Sequence, residues 1–319
     1  MTHILTVDIG GTNVKMALSD EEGKLDLFQE EALPESLDRL YEAVLKYKRA
    51  CETVHQKKVG GLAISAPGYA GPNGKIAGPS AVAYLHEQDP ATALCDMTNL
   101  PVTLENDANC AAFSEYWLGG AKGRQSCALI IIGTGIGGAL IEEGALKRNR
   151  AGESGEWGKL LVPSPSGPAG TLTVFSRTGS TGALVRDYAS QMGLTHLLSG
   201  EQIFNLADEG QEAAVLAVAS MIRQLSIGIL NIHSLYMPEV ILIGGGISNR
   251  HDLLDKLQAQ IRTIIGEVEE VTQVPNLAYC HFKSKANLVG AVYHHLSHRK
   301  KVKGCLTSSE LISAEQKRR

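Results

Sequence analysis

The six cysteines, Cys51, Cys95, Cys110, Cys127, Cys280 and Cys305, include no CxxC pair and no spacing of the kind metal ligands adopt. That scatter predicts a chain kept in a reduced compartment. The N-terminus lacks the basic start and long apolar stretch of a signal peptide, entering an apolar β-like run at Ile4–Ile9 instead. No segment reads as long enough to span a bilayer, so a cytoplasmic protein without a membrane partner is expected. No basic block interrupts the body of the chain, whose net charge is −4, and nucleic acid is therefore not the expected partner. Basic residues gather only in the tail, at Lys300, Lys301, Lys303, Lys317, Arg318 and Arg319, which reads as a solvated C-terminus. What the chain does have is glycine. Its 34 glycines cluster at several places where a backbone would have to approach a ligand closely. With 44% hydrophobic and 20% charged residues it has the balance of a globular enzyme. Its 319 residues exceed the usual size of one hydrophobic core and predict two lobes able to form a cleft.

The chain opens with a strand from His3 to Asp8, a glycine turn, a second strand from Val14 to Ser19, a turn at Glu22-Gly23 and a third strand reaching Leu33. Leu37, Leu40, Tyr41, Val44, Leu45 and Tyr47 recur at helical intervals, and Gly60-Gly61 leads to a buried strand at Leu62–Ser65. A loop punctuated by Gly and Pro from Pro67 to Pro79 precedes a short helix near 91–98, a strand at Val102–Glu105 and a helix from Asp107 to Leu118. The plan restarts at Ser126–Ile132 and Gly138–Ile141, which flank a second glycine turn. A strand, a Gly/Thr-rich turn and a returning strand thus occur twice, the duplication of a bilobal nucleotide clamp. A long helix over about Gln211–Leu235, a strand Val240–Ile243, a helix Asp252–Ile265, a strand near Leu277–His281 and a last helix from about Ala286 complete an α/β chain.

Five motifs carry candidate chemistry. Asp8-Ile9-Gly10-Gly11-Thr12-Asn13-Val14-Lys15 offers bare backbone N–H groups and the Thr12 hydroxyl to an anion, with Asp8 at a strand end able to hold Mg²⁺ through water; a good hairpin turn explains the same residues. Gly133-Thr134-Gly135-Ile136-Gly137-Gly138 contains a GxGxxG string, but a strand follows it rather than a helix, and no Gly-Lys-Ser/Thr follows either. It is neither a dinucleotide fingerprint nor a P-loop. Gly244-Gly245-Gly246 ends a strand and leaves room for adenine or phosphate, or simply makes a tight turn. In Glu105-Asn106-Asp107-Ala108-Asn109 a carboxylate at a strand end can take the proton of a substrate hydroxyl while Asn106 orients the sugar; Asp107 as a helix N-cap is the plainer alternative, and both roles can coexist. Ala151-Gly152-Glu153-Ser154-Gly155-Glu156 sets two carboxylates among small residues, suited to sugar hydroxyls, with Trp157 as a stacking surface; an exposed turn fits as well.

Taken in order, Asp8-Ile-Gly-Gly-Thr, Ser65-Ala66-Pro67-Gly68, Glu105-Asn-Asp-Ala-Asn109, Ile132-Gly-Thr-Gly-Ile-Gly-Gly138, Gly152-Glu153-x-Gly155 and Gly244-Gly-Gly246 resemble the ROK (repressor, open reading frame, kinase) family over nearly all of residues 3–298. The resemblance implies an actin-like ATPase (ribonuclease H-like) fold, two lobes of a duplicated β-β-β-α-β-α plan around a central cleft. It implies a small lobe over 1–118 rejoined by a last helix at about 286–299, a large lobe over 119–285 and a polar tail over 300–319. It implies an ATP- and Mg²⁺-dependent sugar kinase, often dimeric, with Asp107 as base. Gly68, Asn106, Glu153 and Glu156 would meet the sugar. Asp8, Gly10, Gly11, Thr12, Lys15, Gly133, Thr134, Gly135, Gly137, Gly245 and Gly246 would meet the nucleotide, Asp8 with the metal.

Two departures refine the expectation. Family members that carry zinc have His where Glu156 stands, followed by a cysteine-rich loop, whereas residues 163–180 here contain no cysteine, so no zinc is expected. Ser176 stands where many members place a sugar-binding Glu, ahead of the helix start Ser180-Thr-Gly-Ala-Leu-Val-Arg186. Together with Ala66-Pro67-Gly68-Tyr69 and Glu105-Asn-Asp-Ala-Asn-Cys110, this resembles the β-glucoside kinase branch, which phosphorylates the 6-hydroxyl of glucosides such as cellobiose. Glucokinase, fructokinase and N-acetylmannosamine kinase activities share the framework. A sugar-responsive repressor would need a helix-turn-helix ahead of the first turn, which here begins at residue 8, and a sugar-binding protein without catalysis is the remaining alternative, kept open by Glu156 and Ser176.

Overall fold

The computed structural model describes residues 2–298 apart from 71–73, 79–81, 150–152, 166, 167 and 169. The basic tail, Ala151-Gly152 and parts of the loop up to Pro79 lie outside the described residues. Two compact units divide the chain: one runs Met1–Trp117 and resumes at Ser284, the other takes in Leu118–Asn149 and Glu153–Lys283.

In the first unit, β1 (Thr2–Ile9), β2 (Asn13–Ser19) and β3 (Leu25–Ala32) form an antiparallel meander. Helix α1 (Leu37–Thr53) starts where the Ser36 side chain accepts from Arg39 N, and it buries Leu40, Tyr41, Val44, Tyr47 and Cys51, one stripe at helical spacing. Strand β4 (Lys58–Ala66) runs parallel to β1, and a small hairpin, β5 (Tyr69–Ala70) with β6 (Ile76–Ala77), follows it. Helix α2 (Pro90–Thr98) has Asp89 as its N-cap and proline in its first turn, where a missing N–H does no harm. Strand β7 (Val102–Asn106) lies parallel to β4 and leads directly into α3 (Asp107–Trp117), giving the sheet order β3-β2-β1-β4-β7. Strand β4 starts four residues before the expected Leu62, so Gly60 and Gly61 lie inside it. A Cβ on Gly61 would come 2.5 Å from His295 Nε2, and one on Gly60 would strike the Thr2 side chain. Close tertiary approach, not a turn, explains that glycine pair.

The second unit repeats the pattern. Strands β8 (Cys127–Ile132), β9 (Ile136–Glu142) and β10 (Ala145–Leu146) form the antiparallel part. A two-stranded ribbon, β11 (Leu161–Pro163) and β12 (Leu172–Val174), precedes helices α4 (Thr181–Met192), α5 (Gly200–Asp208) and α6 (Glu212–Tyr236). Strand β13 (Ile241–Gly244) pairs parallel with β8, and after α7 (Leu253–Glu267) strand β14 (Leu277–Tyr279) pairs parallel with β13. The order β10-β9-β8-β13-β14 matches the first sheet position for position. Ile130, Ile132, Leu225, Ile229, Leu257 and Ile261 share the core of this unit.

Helix α6 corrects the expectation that no segment is long enough to cross a bilayer: its 25 residues contain an 18-residue window of mean hydropathy 1.8. Of that window 61% is buried inside the protein, the property of a core helix. Gly228, in its middle, has a packing reason. The wholly buried ring of Phe175 occupies the place its Cβ would need. The cost of about 1 kcal/mol for glycine in a helix is offset by burying an aromatic ring.

Helix α8 (Ala286–His298) belongs to the first unit, where it packs on α3 and β4. Thr6 Oγ1 donates to Leu288 O at 2.8 Å, and a Cβ on Gly290 would land on the carbonyl oxygen of Cys110 in α3. Gly290→Ala is expected to destabilise the protein by about 3 kcal/mol through this overpacking, read as a lowered urea midpoint at unchanged m-value.

Candidate active site

Asp8 ends β1 opposite Lys15 on β2 and Ser65 on β4. It is 5% exposed. Its Oδ1 accepts from Ser65 Oγ at 3.1 Å and Asn287 Nδ2 at 3.0 Å, and Lys15 Nζ stands 3.7 Å from Oδ2. Burial raises the proton affinity of this carboxyl, while Asn287, Lys15 and Ser65 oppose the rise. Beyond it the chain turns with Gly10 N donating to Asn13 O at 2.9 Å, and Thr12 O accepts from Leu33 N. Gly11 and Thr12 are exposed, and their N–H groups make no backbone hydrogen bond among the described residues. Lys15 Nζ also reaches Ser284 O at 3.4 Å.

The junction of β7 and α3 is the second element of this unit's site. Asn106 does the capping: its Oδ1 accepts from Asn109 N at 3.2 Å. Its Nδ2 donates to Gly68 O at 2.7 Å and to Asp107 Oδ1 at 3.0 Å. Gly68 has φ +88°, the left-handed region that favours glycine. Asp107 Oδ1 accepts in addition from Ala108 N at 2.8 Å, which leaves Oδ2 without a hydrogen bond among the described residues. Burial raises the proton affinity of Asp107, the hydrogen bond from Ala108 lowers it, and the charge on Asp8 raises it again. Beneath the junction the buried Glu105 carboxylate accepts from Asn106 N at 2.7 Å and Asn109 Nδ2 at 2.9 Å, and His294 Nδ1 lies 3.4 Å from its other oxygen.

In the second unit the turn Gly133–Gly137 is held from behind. Ile136 N donates to Ser176 Oγ at 2.9 Å, Ser180 Oγ donates to Thr134 O at 3.0 Å, and Gly182 N donates to Gly133 O at 3.3 Å. A Cβ at Gly133, Gly137 or Gly246 would meet nothing within 4 Å, so the protein's own packing does not demand glycine there. Gly138 and Gly245 differ: their Cβ atoms would strike Leu129 O and Ile132 O. Gly133, Thr134 and Gly246 line a cavity of about 840 Å³ whose apolar wall includes Val185, Leu197, Phe204 and Ile247. Arg250 lies 4.5 Å over the Phe204 ring and bonds Asp208 and Asp252. The motifs point to none of the residues that α5 contributes, Gly200, Glu201, Phe204 and Asn205. The only sequence signal was the capping box Ser199-x-x-Gln202, which forms with both of its bonds.

Glu153 accepts from Asn149 Nδ2 at 2.8 Å and from Lys159 Nζ at 3.3 Å, and these two hold its carboxyl below the ordinary value. Glu156 is exposed and pairs with the same lysine at 3.0 Å. Trp157 is not the stacking surface expected of it. The ring is 5% exposed, donates Nε1 to Leu129 O and packs edge-on against Tyr236, because a large apolar ring gains more in the core. Among the described residues no group of three or more His, Cys, Asp or Glu side chains is placed to hold a metal ion. A magnesium ion needs no such group, since one carboxylate and the phosphates of a nucleotide suffice, and Asp8 beside an exposed glycine turn supplies a donor of that kind.

Two sheets of one mixed order, each opening on a hairpin with an exposed glycine turn, define an actin-like ATPase fold. The sequence profile of the ROK family matches residues 4–297, and the chain belongs to that family. A β-glucoside kinase of Klebsiella pneumoniae is 31% identical over 297 residues, spanning 91% of this chain and 95% of that enzyme. A ROK family protein from Streptococcus pneumoniae TIGR4, solved in complex with sucrose, has a TM-score of 0.84 at 34% identity, covering 94% of this chain and 100% of that one. A ROK family glucokinase from Streptomyces griseus, solved with glucose and AMPPNP, has a TM-score of 0.71 at 26% identity, covering 91% and 98%.

Asn287→Ala removes the shorter hydrogen bond to a buried carboxylate. The expected loss is about 1.5–3 kcal/mol, measured by urea unfolding, with Asn287→Asp worse because it sets a second carboxylate against Asp8.

Proposed function

We propose that this ROK family sugar kinase transfers the γ-phosphoryl group of ATP to the 6-hydroxyl of a hexose or β-glucoside, with Asp107 as the base. The observation that carries this reading is the state of Asp107. One oxygen is fixed by Ala108 N and Asn106 Nδ2, the other is left for a substrate, and burial keeps its proton affinity above that of an ordinary aspartate. Phosphoryl transfer passes through a loose transition state, so a positioned acceptor for the hydroxyl proton and positive or N–H groups around the phosphates meet its main demands. Asn106 and Gly68 orient the sugar beside Asp107, and Glu153 and Glu156 take further hydroxyls. The turns at Gly10–Thr12 and Gly133–Gly137 and the Lys15 ammonium hold phosphate oxygens, with Gly245 and Gly246 at the nucleoside. Asp8 would hold the magnesium ion, which supplies neutralising charge to the phosphates.

The glucoside half of the reading rests on two supports. The Klebsiella pneumoniae relative is named for that substrate class. Ser176, short and tied to the Ile136 backbone, stands where the family resemblance expects a sugar-binding Glu, and it leaves the anomeric side open. A coupled ADP-release assay with ATP and Mg²⁺ against glucose, cellobiose, a simple β-glucoside, fructose and N-acetylmannosamine separates the outcomes. Preference for the glucosides supports the assignment. Preference for a free monosaccharide keeps the kinase and removes the glucoside, and silence on every sugar removes both.

Asp107→Asn should lower kcat by a factor on the order of 10²–10⁴ while sugar binding, followed by calorimetry, stays within a few fold. The wild-type kcat/KM should fall on the acid side, since protonation removes the base. Because burial raises the Asp107 carboxyl, that limb should have its midpoint above 3.8, the ordinary aspartate value.

A further inference from the structure

Thr103 and Glu105 stand two residues apart on β7 and so present their side chains to one face of the sheet, the face on which α8 packs. Successive histidines of α8 meet them. His295 Nδ1 lies 3.0 Å from Thr103 Oγ1, and its ring occupies the place that a Cβ on Gly61 of β4 would need. That contact, with the bond from Thr6 Oγ1 to Leu288 O, fixes where α8 sits on the strands. His294 is thereby brought to Glu105, Nδ1 standing 3.4 Å from Oε2, with side chains 12% and 5% exposed. Its ring stacks on Phe113 of α3 at a centroid distance of 5.9 Å and lies 4.2 Å from the ring of His298, one turn further along α8.

The other oxygen of Glu105 is tied to the candidate site. Oε1 accepts from Asn106 N at 2.7 Å and from Asn109 Nδ2 at 2.9 Å. Asn106 in turn accepts from Asn109 N and donates Nδ2 to Asp107 Oδ1. Rotation of the Glu105 carboxylate would therefore disturb both asparagines.

We infer that His294 is a positioning residue for the base: by meeting Oε2 of Glu105 it fixes the direction of Oε1, and through Asn106 and Asn109 the first turn of α3, on which Asp107 stands. This rests on the kinase reading above. An imidazole locked between helices can hold a buried carboxylate by a charge-assisted contact, and a base moved by a fraction of an ångström loses its line to the substrate hydroxyl at a large cost in rate.

Two variants remove the contact: His294→Phe, which keeps a ring against Phe113, and the smaller His294→Leu. In whichever retains the wild-type urea midpoint more closely, kcat should fall about 10–100-fold while the sugar KM moves less than about threefold. His294→Asn, which restores a donor near the place of Nδ1, should recover part of the loss. Combined with Asp107→Asn, the variant should lower the residual kcat by less than about twofold, because the base through which His294 acts is gone. An unchanged kcat, a loss confined to KM, or the same loss with and without Asp107 overturns the inference. Amide hydrogen exchange reads the position directly, without turnover. The N–H groups of Asn106 and Ala108 should exchange about tenfold faster or more in the variant, with those of α1 unchanged as the control for global opening, and protection equal to that of the wild type overturns the inference. A wild type silent on every sugar and folded throughout removes the kinase reading instead, and the exchange comparison then decides the role of His294 by itself.

Discussion

A carboxylate taken out of water costs several kcal/mol unless charges and donors meet it, and Asp8 obliges the first unit to supply them from three elements at once. Lys15 comes from β2, Ser65 from β4 and Asn287 from α8. The antiparallel pairing of β1 with β2 and the parallel pairing of β1 with β4 are what put Lys15 and Ser65 in register with it. A one-residue slip in either strand would turn its donor to the other face of the sheet. The glycine turn that follows closes with the Gly10 N–H alone, and the N–H groups of Gly11 and Thr12 make no backbone hydrogen bond among the described residues. Asp107, which feels the Asp8 charge, is fixed by a different device: Asn106 caps α3 with its oxygen and ties Gly68 and Asp107 together with its nitrogen.

The second unit solves a similar problem with side-chain hydroxyls. Ser176 and Ser180 bond the backbone of the Gly133–Gly137 turn at Ile136 N and Thr134 O. Sorting the glycines by what a Cβ would meet separates two jobs that sequence alone merges. Gly138 and Gly245 serve the protein's own packing, whereas Gly133, Gly137 and Gly246 face open space.

Much of the architecture was legible because local signals agreed with the final packing. The apolar run of β1, the helical spacing from Leu37 to Tyr47 and the repeat of strand, glycine turn and strand all read correctly, and the duplicated sheet followed from them. What was illegible depended on neighbours distant in sequence. Gly60 and Gly61 were placed ahead of β4 rather than inside it because nothing local reveals that Thr2 and His295 press on them. Trp157 read as a sugar platform because adjacent carboxylates say nothing about Tyr236 or Leu129 behind it. Helix α5 passed unnoticed although the capping box Ser199-x-x-Gln202 marks its start. Asn287 carried no motif at all, since its partner is 279 residues away.

That separation has a consequence for how the molecule is made. Ribosomes deliver chain from the N-terminus, and domains generally fold as units when their residues emerge. Here the first unit cannot finish in that order, for its last helix is synthesised only after the whole of the second. Through that interval β1 to α3 must wait with Asp8 lacking one donor and with the groove filled by Leu288, Val292 and their neighbours unfilled, so the nascent first unit exposes apolar surface for as long as translation of about 170 residues takes.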